Sequence, residues 1–86
     1  MKAIVINKFD NVAIVLKDIG KDEEVIIGEQ TLRAVDDIPY THKIALTDLM
    51  QGTAVIKYGE VIATASKDIR QGEWVHLHNL KADGLD

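Results

Sequence analysis

Three copies of one turn template constrain the fold of this 86-residue chain more than any other feature of its sequence. Each copy starts with Asp and an aliphatic residue, usually carries Gly at the fifth position, and ends on Val at the eighth. The copies occupy residues 18–25, 48–55 and 68–75. Asp can accept hydrogen bonds from backbone donors, the aliphatic residue can fill the core, and Gly permits a positive φ before the next strand. The template therefore predicts a small sheet that folds back on itself several times.

Short runs rich in Val, Ile and other strand-forming residues lie around these turns. None shows a helical period sustained for more than about two turns, so each run favours a strand. Turn residues between successive runs predict hairpins, and Pro39 interrupts the pattern because it lacks a backbone donor. We predict an all-β domain of about eight short strands, at residues 3–6, 12–16, 25–27, 31–33, 42–46, 55–57, 60–62 and 74–78.

The last predicted strand carries two of the three histidines. Because side chains alternate along a strand, Trp74, His76 and His78 are expected on one face, with Val75 and Leu77 in the core. Two adjacent imidazoles could ligate a metal or exchange protons near neutral pH. The alternative is a pair of exposed histidines on a strand surface, and the H-x-H spacing by itself does not distinguish the two.

The turn at Tyr58-Gly59 is unusual for a hairpin. The first position of a two-residue hairpin loop favours Asn, Asp or Gly, because φ is positive there. Either this loop is longer than two residues, or the phenol is held at the tip to contact another molecule. Lys57 beside it could pair with Glu60 across the hairpin or meet a carboxylate.

Three more polar residues stand at strand ends. His42-Lys43 follows Pro39 at a loop-to-strand junction, where it is either a solvated strand end or part of an anion site. Asn79 ends the last predicted strand, and it could orient a ligand or simply cap the turn.

Composition limits the classes of function. With 14 acidic and 10 basic residues the formal charge is −4, which argues against a nucleic-acid surface but leaves room for a small anion held by local lysines. No apolar run approaches the roughly 18–20 residues that cross a bilayer. We therefore expect no membrane partner, and we expect a cytoplasmic location. The absence of cysteine excludes disulfides and thiolate metal sites. No complete catalytic motif is present, which argues against a stand-alone enzyme.

The chain resembles the N-terminal region of the altronate dehydratase (altronate hydrolase) family over essentially its whole length. The resemblance is carried by H-K-x-A-L at residues 42–46, K-Y-G at 57–59 and H-x-H-N at 76–79. It implies a SAF-type β-clip domain at residues 1–80, with 81–86 as a tail or the start of a linker. In this family the domain is fused to a much larger catalytic part or stands beside it as a separate small subunit.

The resemblance also implies a function. The whole enzyme would be a hydro-lyase that converts D-altronate to 2-keto-3-deoxy-D-gluconate and water, while this chain alone would be inactive. A divalent metal, iron or manganese, would be held mainly by the larger partner. Related members act on galactarate or remove sulfite from (2R)-sulfolactate, and a non-catalytic binding or assembly role remains the alternative. In the catalytic reading, His42, His76 and His78 line one side of a shared site, and the anionic sugar acid is bound by Lys43, Lys57, Tyr58 and Asn79.

Three positions depart from the family pattern. Thr41 and Ala63 stand where Gly is usual, which puts the local backbone geometry in question. Trp74 stands where a histidine is frequent, and this removes one possible ligand from the last predicted strand.

Overall fold

The computed structural model describes residues 2–82, and within that range the chain forms nine short strands, all paired antiparallel. The all-β prediction is therefore confirmed. No helix of these residues is long and apolar enough to cross a membrane. The strands are β1 (Ala3–Ile4), β2 (Val12–Val15), β3 (Glu24–Ile27), β4 (Gln30–Arg33), β5 (Lys43–Ala45), β6 (Ala54–Lys57), β7 (Glu60–Ala65), β8 (Trp74–Val75) and β9 (Leu80–Lys81).

The strands form one four-stranded sheet and two smaller ones. The four-stranded sheet has the order β1-β2-β5-β8, whereas β3-β4 is a hairpin and β6-β7-β9 is a hairpin extended by the last strand. Turns link the sheets, so the chain leaves the four-stranded sheet for each hairpin and then returns to it. This is the bent, hairpin-rich arrangement expected of a β-clip.

The turn template determines this path, and the structure contains a fourth copy at residues 37–44. That copy escaped the sequence pattern because Thr41 replaces Gly and Ile44 replaces Val. The fifth position of all four copies has a positive φ: 72° at Asp22, 74° at Thr41, 88° at Gly52 and 89° at Gly72. All four copies therefore require a positive φ at the fifth position, although only two of the four residues there are Gly.

The four turns associate in two reciprocal pairs, 18–25 with 37–44 and 48–55 with 68–75. In each pair the aliphatic second positions form an isolated bridge, Ile19 with Ile38 and Leu49 with Ile69. Each leading Asp accepts a hydrogen bond from the backbone N–H at the fourth position of the partner turn. The four 2.8 Å bonds join Lys21 N to Asp37 Oδ1, Tyr40 N to Asp18 Oδ1, Gln51 N to Asp68 Oδ1 and Gln71 N to Asp48 Oδ1.

Each pair of turns has its own hydrophobic core. Ile19 and Ile38 are buried in a cluster with residues of β1 to β5, and Leu49 and Ile69 are buried in a second cluster with residues of β2 and β5 to β8. The predicted role of the aliphatic residue as a core plug is thus confirmed in every copy.

The predicted strand at residues 74–78 needs correction. β8 ends at Val75, and residues 76–79 form a turn in which Asn79 N donates to His76 O at 3.2 Å. As a result Leu77, which was expected in the core, is 81% exposed. The final strand, Leu80–Lys81, extends one residue into the segment predicted as a tail, and residues 83–86 of that segment lie outside the described residues.

Candidate functional site

Four ring side chains meet where β5 lies beside β8, and we call His42, Trp74, His76 and His78 the imidazole cluster. Antiparallel pairing of Ile44 with Trp74 brings the two strands together. The ring centroids of His42 and His76 are 4.7 Å apart, and Trp74 stacks on His76 at 5.6 Å with an interplanar angle of 6°. Trp74 also contacts His78 at 5.1 Å and His42 at 5.6 Å. The structure therefore brings together all three histidines singled out from the sequence.

Trp74 is the centre of this cluster, which the sequence analysis did not anticipate. Its ring touches each histidine, and its Nε1–H donates a hydrogen bond of 3.1 Å to His42 Nδ1. The alternation of residues 74–78 placed it on the histidine face, but a Trp at that point was read only as a lost ligand. Its contact with His42 crosses 32 positions of sequence and had no local signal.

Asn79 holds the backbone that carries two members of the imidazole cluster. It is 1% exposed, its Nδ2 donates to Trp74 O at 2.8 Å, and its Oδ1 accepts from His76 N at 2.9 Å. Of the two roles predicted for Asn79, the structure shows the turn cap. The amide is hydrogen-bonded to backbone groups, so Asn79 positions Trp74 and His76.

Basic side chains surround the half-buried His76. Burial, followed by the nearby His42, Lys43 and His78, holds the pKa of His76 below its ordinary value. Both burial and the charge on Lys57 lower the pKa of Lys43. The two lysines therefore lie within electrostatic range of each other and of the imidazole cluster. A small anion placed here would relieve this repulsion.

The hairpin tip at Tyr58-Gly59 completes the polar region. The loop has two residues, with φ of 57° at Tyr58 and 76° at Gly59, so the longer loop considered from the sequence is excluded. Tyr58 is 52% exposed, and Lys57 Nζ lies over its ring, 5.1 Å from the centroid. Glu60 is opposite Lys57 in the hairpin register, but the ammonium group contacts the phenol ring.

The tip is clamped by the loop between β1 and β2. Gly59 N donates to Asp10 Oδ1 at 2.8 Å, and the Asn7 side chain lies so close that a Cβ on Gly59 would be 2.7 Å from its Nδ2. Burial opposes ionisation of Asp10, but the backbone donors of Gly59 and Asn7 outweigh it and lower the pKa. Sequence reasoning missed this clamp because its partners are 49 residues apart.

The described part of the chain, residues 2–82, does not by itself offer a metal centre. Across residues 2–82, no group of three or more His, Cys, Asp or Glu side chains is arranged to hold a metal ion. The Nδ1 lone pair of His42 is already engaged by Trp74. A complete coordination sphere would therefore need ligands from outside the described residues.

Comparison with known proteins places this geometry in a family. The model of the altronate/galactarate dehydratase SAF domain matches residues 1–83. The whole chain is 42% identical to part of the altronate dehydratase of Escherichia coli (strain K12) and 40% identical to part of that of Bacillus subtilis (strain 168). It spans only 17% and 18% of those two proteins.

A shorter protein also matches. Over 46 residues the chain is 50% identical to the (2R)-sulfolactate sulfo-lyase subunit alpha of Chromohalobacter salexigens, which covers 54% of this chain and 49% of that subunit. The relatives thus include long dehydratases, of which the chain matches a small part, and a protein named as a separate subunit. The resemblance inferred from the three polar motifs is confirmed. With the family model covering nearly all of its residues, the chain belongs to the altronate/galactarate dehydratase SAF domain family.

Proposed function

We propose that this chain is the small module of a sugar-acid dehydratase of the altronate type, and that it forms one wall of an active site completed by a larger catalytic part. The observation that carries the proposal is the convergence of three histidines and two lysines on one region of an 86-residue domain. The overall reaction would convert D-altronate to 2-keto-3-deoxy-D-gluconate and water.

The lysines suit the substrate carboxylate. Lys43 and Lys57 repel each other in the free chain, and this repulsion adds to burial in lowering the pKa of Lys43. A bound carboxylate would stabilise both ammonium groups, which a neutral ligand would not do. Tyr58, exposed at the clamped hairpin tip, can donate a hydrogen bond to a substrate oxygen.

His76 suits the removal of the proton next to the carboxylate. The reaction passes through an enediolate-like intermediate, which needs a base at the carbon and positive charge near the carboxylate. A His whose pKa lies below its ordinary value is neutral at pH 7 and can accept a proton. The proton taken from carbon then makes His76 an imidazolium near the ammonium group of Lys43, so it readily returns a proton to the departing hydroxyl.

The missing parts of the site belong to the larger part in this proposal. The chain spans less than a fifth of the altronate dehydratases that it matches, and the match to a subunit alpha fits either a fused or a separate partner. The iron or manganese ion implied by the resemblance would be held mainly there, since residues 2–82 supply no complete set of ligands.

A dehydration assay on a panel of sugar acids tests the proposal. The chain together with its large dehydratase part is expected to form a 2-keto-3-deoxy acid from one member, whereas the chain alone is expected to be inactive. His76→Ala and His78→Ala should each lower kcat, His76→Ala by about 10²–10⁴-fold. Activity from the chain alone, or normal kcat in both variants, would contradict the proposal.

Release of sulfite from (2R)-sulfolactate is the matched alternative in the same assay. An enzyme with this activity would use the same shared site for a different class of substrate. A purely assembling role predicts a different pattern, in which the alanine variants change complex formation or KM and leave kcat unchanged.

A further inference from the structure

The contact between Trp74 and His42 determines where the His42 proton lies. An indole Nε1–H can only donate a hydrogen bond, so the His42 Nδ1 that it meets at 3.1 Å must accept through its lone pair. A neutral imidazole with an accepting Nδ1 carries its single proton on Nε2. A second proton on Nδ1 would put two N–H groups head to head and break the contact.

The His42 ring has little freedom to avoid this contact. Its backbone N donates to Pro39 O at 3.0 Å, and its carbonyl accepts from Val15 N at 2.9 Å. The preceding residue, Thr41, is in the left-handed region with a φ of 74°, which sets the direction in which His42 leaves the turn. On its other side the ring contacts His76 at a centroid distance of 4.7 Å.

We propose that Trp74 is a positioning residue that holds His42 as the neutral Nε2–H tautomer, so that His42 donates a hydrogen bond to an oxygen of the sugar-acid substrate and does not act as a base. The role toward substrate rests on the proposed function, whereas the tautomer follows from the contact itself. With Nδ1 engaged and Nε2 protonated, His42 has no free lone pair for a proton or a metal ion. Proton transfer is then assigned to His76, whose ring nitrogens make no hydrogen bond within residues 2–82.

The tautomer can be read directly by NMR. In the ¹⁵N-labelled chain at pH 8, two-bond ¹H–¹⁵N correlations should show His42 with an unprotonated Nδ1 and a protonated Nε2. Trp74→Phe keeps a ring against His76 but removes the donor, so His42 should then exchange between both tautomers. A protonated Nδ1 in the parent chain, or a tautomer unchanged in Trp74→Phe, would overturn the proposal. Amide dispersion of the variant checks its fold, and the parent spectrum decides the tautomer even if the variant unfolds.

A kinetic comparison tests the role of His42 in the assembled enzyme. The side-chain amide of Gln offers an N–H near the position of Nε2 but cannot accept a proton at neutral pH. His42→Gln should therefore retain about tenfold more kcat than His42→Ala, whereas His76→Gln should be as slow as His76→Ala. Equal kcat for His42→Gln and His42→Ala would overturn the donor role. Normal kcat in both alanine variants would instead contradict the proposed function, and the NMR result would still decide the tautomer.

Discussion

The hairpins β3-β4 and β6-β7 each follow a copy of the turn template, at residues 18–25 and 48–55, yet their tips differ. The first tip begins with Gly28, which has a φ of 60°, and among residues 2–82 no atom would lie within 4 Å of a Cβ added there. The second begins with Tyr58 at nearly the same φ, followed by Gly59, which is clamped by Asp10 and Asn7. One tip is conformationally relaxed and open, and the other is strained and held.

The difference separates what the fold needs from what the site needs. The first residue of both tips has a similar positive φ, which Gly adopts at no steric cost, whereas the second residue has a positive φ only at Gly59. A non-Gly residue in the left-handed region costs about 1–2 kcal/mol. The strain is found beside Lys57, where an exposed phenol can contact a ligand or partner, and not at the other tip.

The largest expected effect comes from a comparison within the turn template itself. Gly52 and Gly72 have the same φ, but a Cβ on Gly72 would overlap the Arg33 carbonyl oxygen, whereas one on Gly52 meets no atom of residues 2–82 within 4 Å. Gly52→Ala should cost about 1 kcal/mol from backbone strain alone, and Gly72→Ala roughly 3 kcal/mol or more because backbone must shift. Urea unfolding followed by Trp74 fluorescence measures both. Equal losses would show that the packing around Gly72 is unimportant.

Exchanging the tip residues should move stability in opposite directions. Tyr58→Asn supplies a residue that favours this loop geometry, so the free energy of unfolding should rise by about 0.5–1 kcal/mol. Gly28→Tyr should lower it by about 1 kcal/mol because the strain is introduced at the open tip. In the assembled enzyme only Tyr58→Asn should reduce kcat/KM, since residue 28 lies on the other hairpin. If both variants leave kcat/KM unchanged, Tyr58 has no role at the site.

Removing the clamp should loosen the second tip alone. Asp10→Ala removes the acceptor for Gly59 N, and the loss of this bond should cost about 1 kcal/mol. The pKa of Asp10 is lowered in the folded chain. Its contribution to stability is therefore complete at pH values above its ordinary pKa, and it is lost as pH falls through the pKa of the folded chain. Amide hydrogen exchange of residues 57–60 should accelerate, with that of residues 27–30 unchanged as the internal control. Uniform acceleration of both tips would contradict a local clamp.

The smallest expected effect is a shift in the titration of His76. Its pKa should lie below the ordinary value of about 6.5, and Lys43→Met should raise it, since one nearby positive charge is removed. The folded state disfavours the imidazolium, so the contribution of His76 to stability is complete above about 6.5 and declines as pH falls. NMR titration of the ring protons measures the midpoint, with Lys17→Met as the matched control. A midpoint above 6.5 would remove the basis for treating His76 as a base.

Much of the fold was readable from the sequence because local chemistry specifies it. The Asp, aliphatic and Gly positions of the template predicted turns whose geometry the structure shows, and strand-forming runs predicted nearly every strand. The fourth copy was missed since Thr41 adopts a φ that Gly usually supplies. The alternation of residues 74–78 suggested a longer strand, but the Asn79 side chain closes a turn after Val75 by binding backbone on both sides.

The site was only partly readable. Three polar motifs indicated its residues, and pairing of β5 with β8 explains why His42 meets His76 across 34 positions of sequence. The central place of Trp74 and the clamp on Gly59 depend on contacts between distant segments, which no local pattern encodes.

The most direct test of the shared-site account is kcat of His76→Ala in the assembled enzyme, measured beside Ile26→Ala on the exposed face of the first hairpin. Size-exclusion chromatography of both variants establishes that the complex with the larger part still forms. The account predicts a fall of about 10²–10⁴-fold in kcat for His76→Ala with assembly intact, and parental kcat for Ile26→Ala. Parental kcat in both variants would show that the imidazole cluster takes no part in the chemistry.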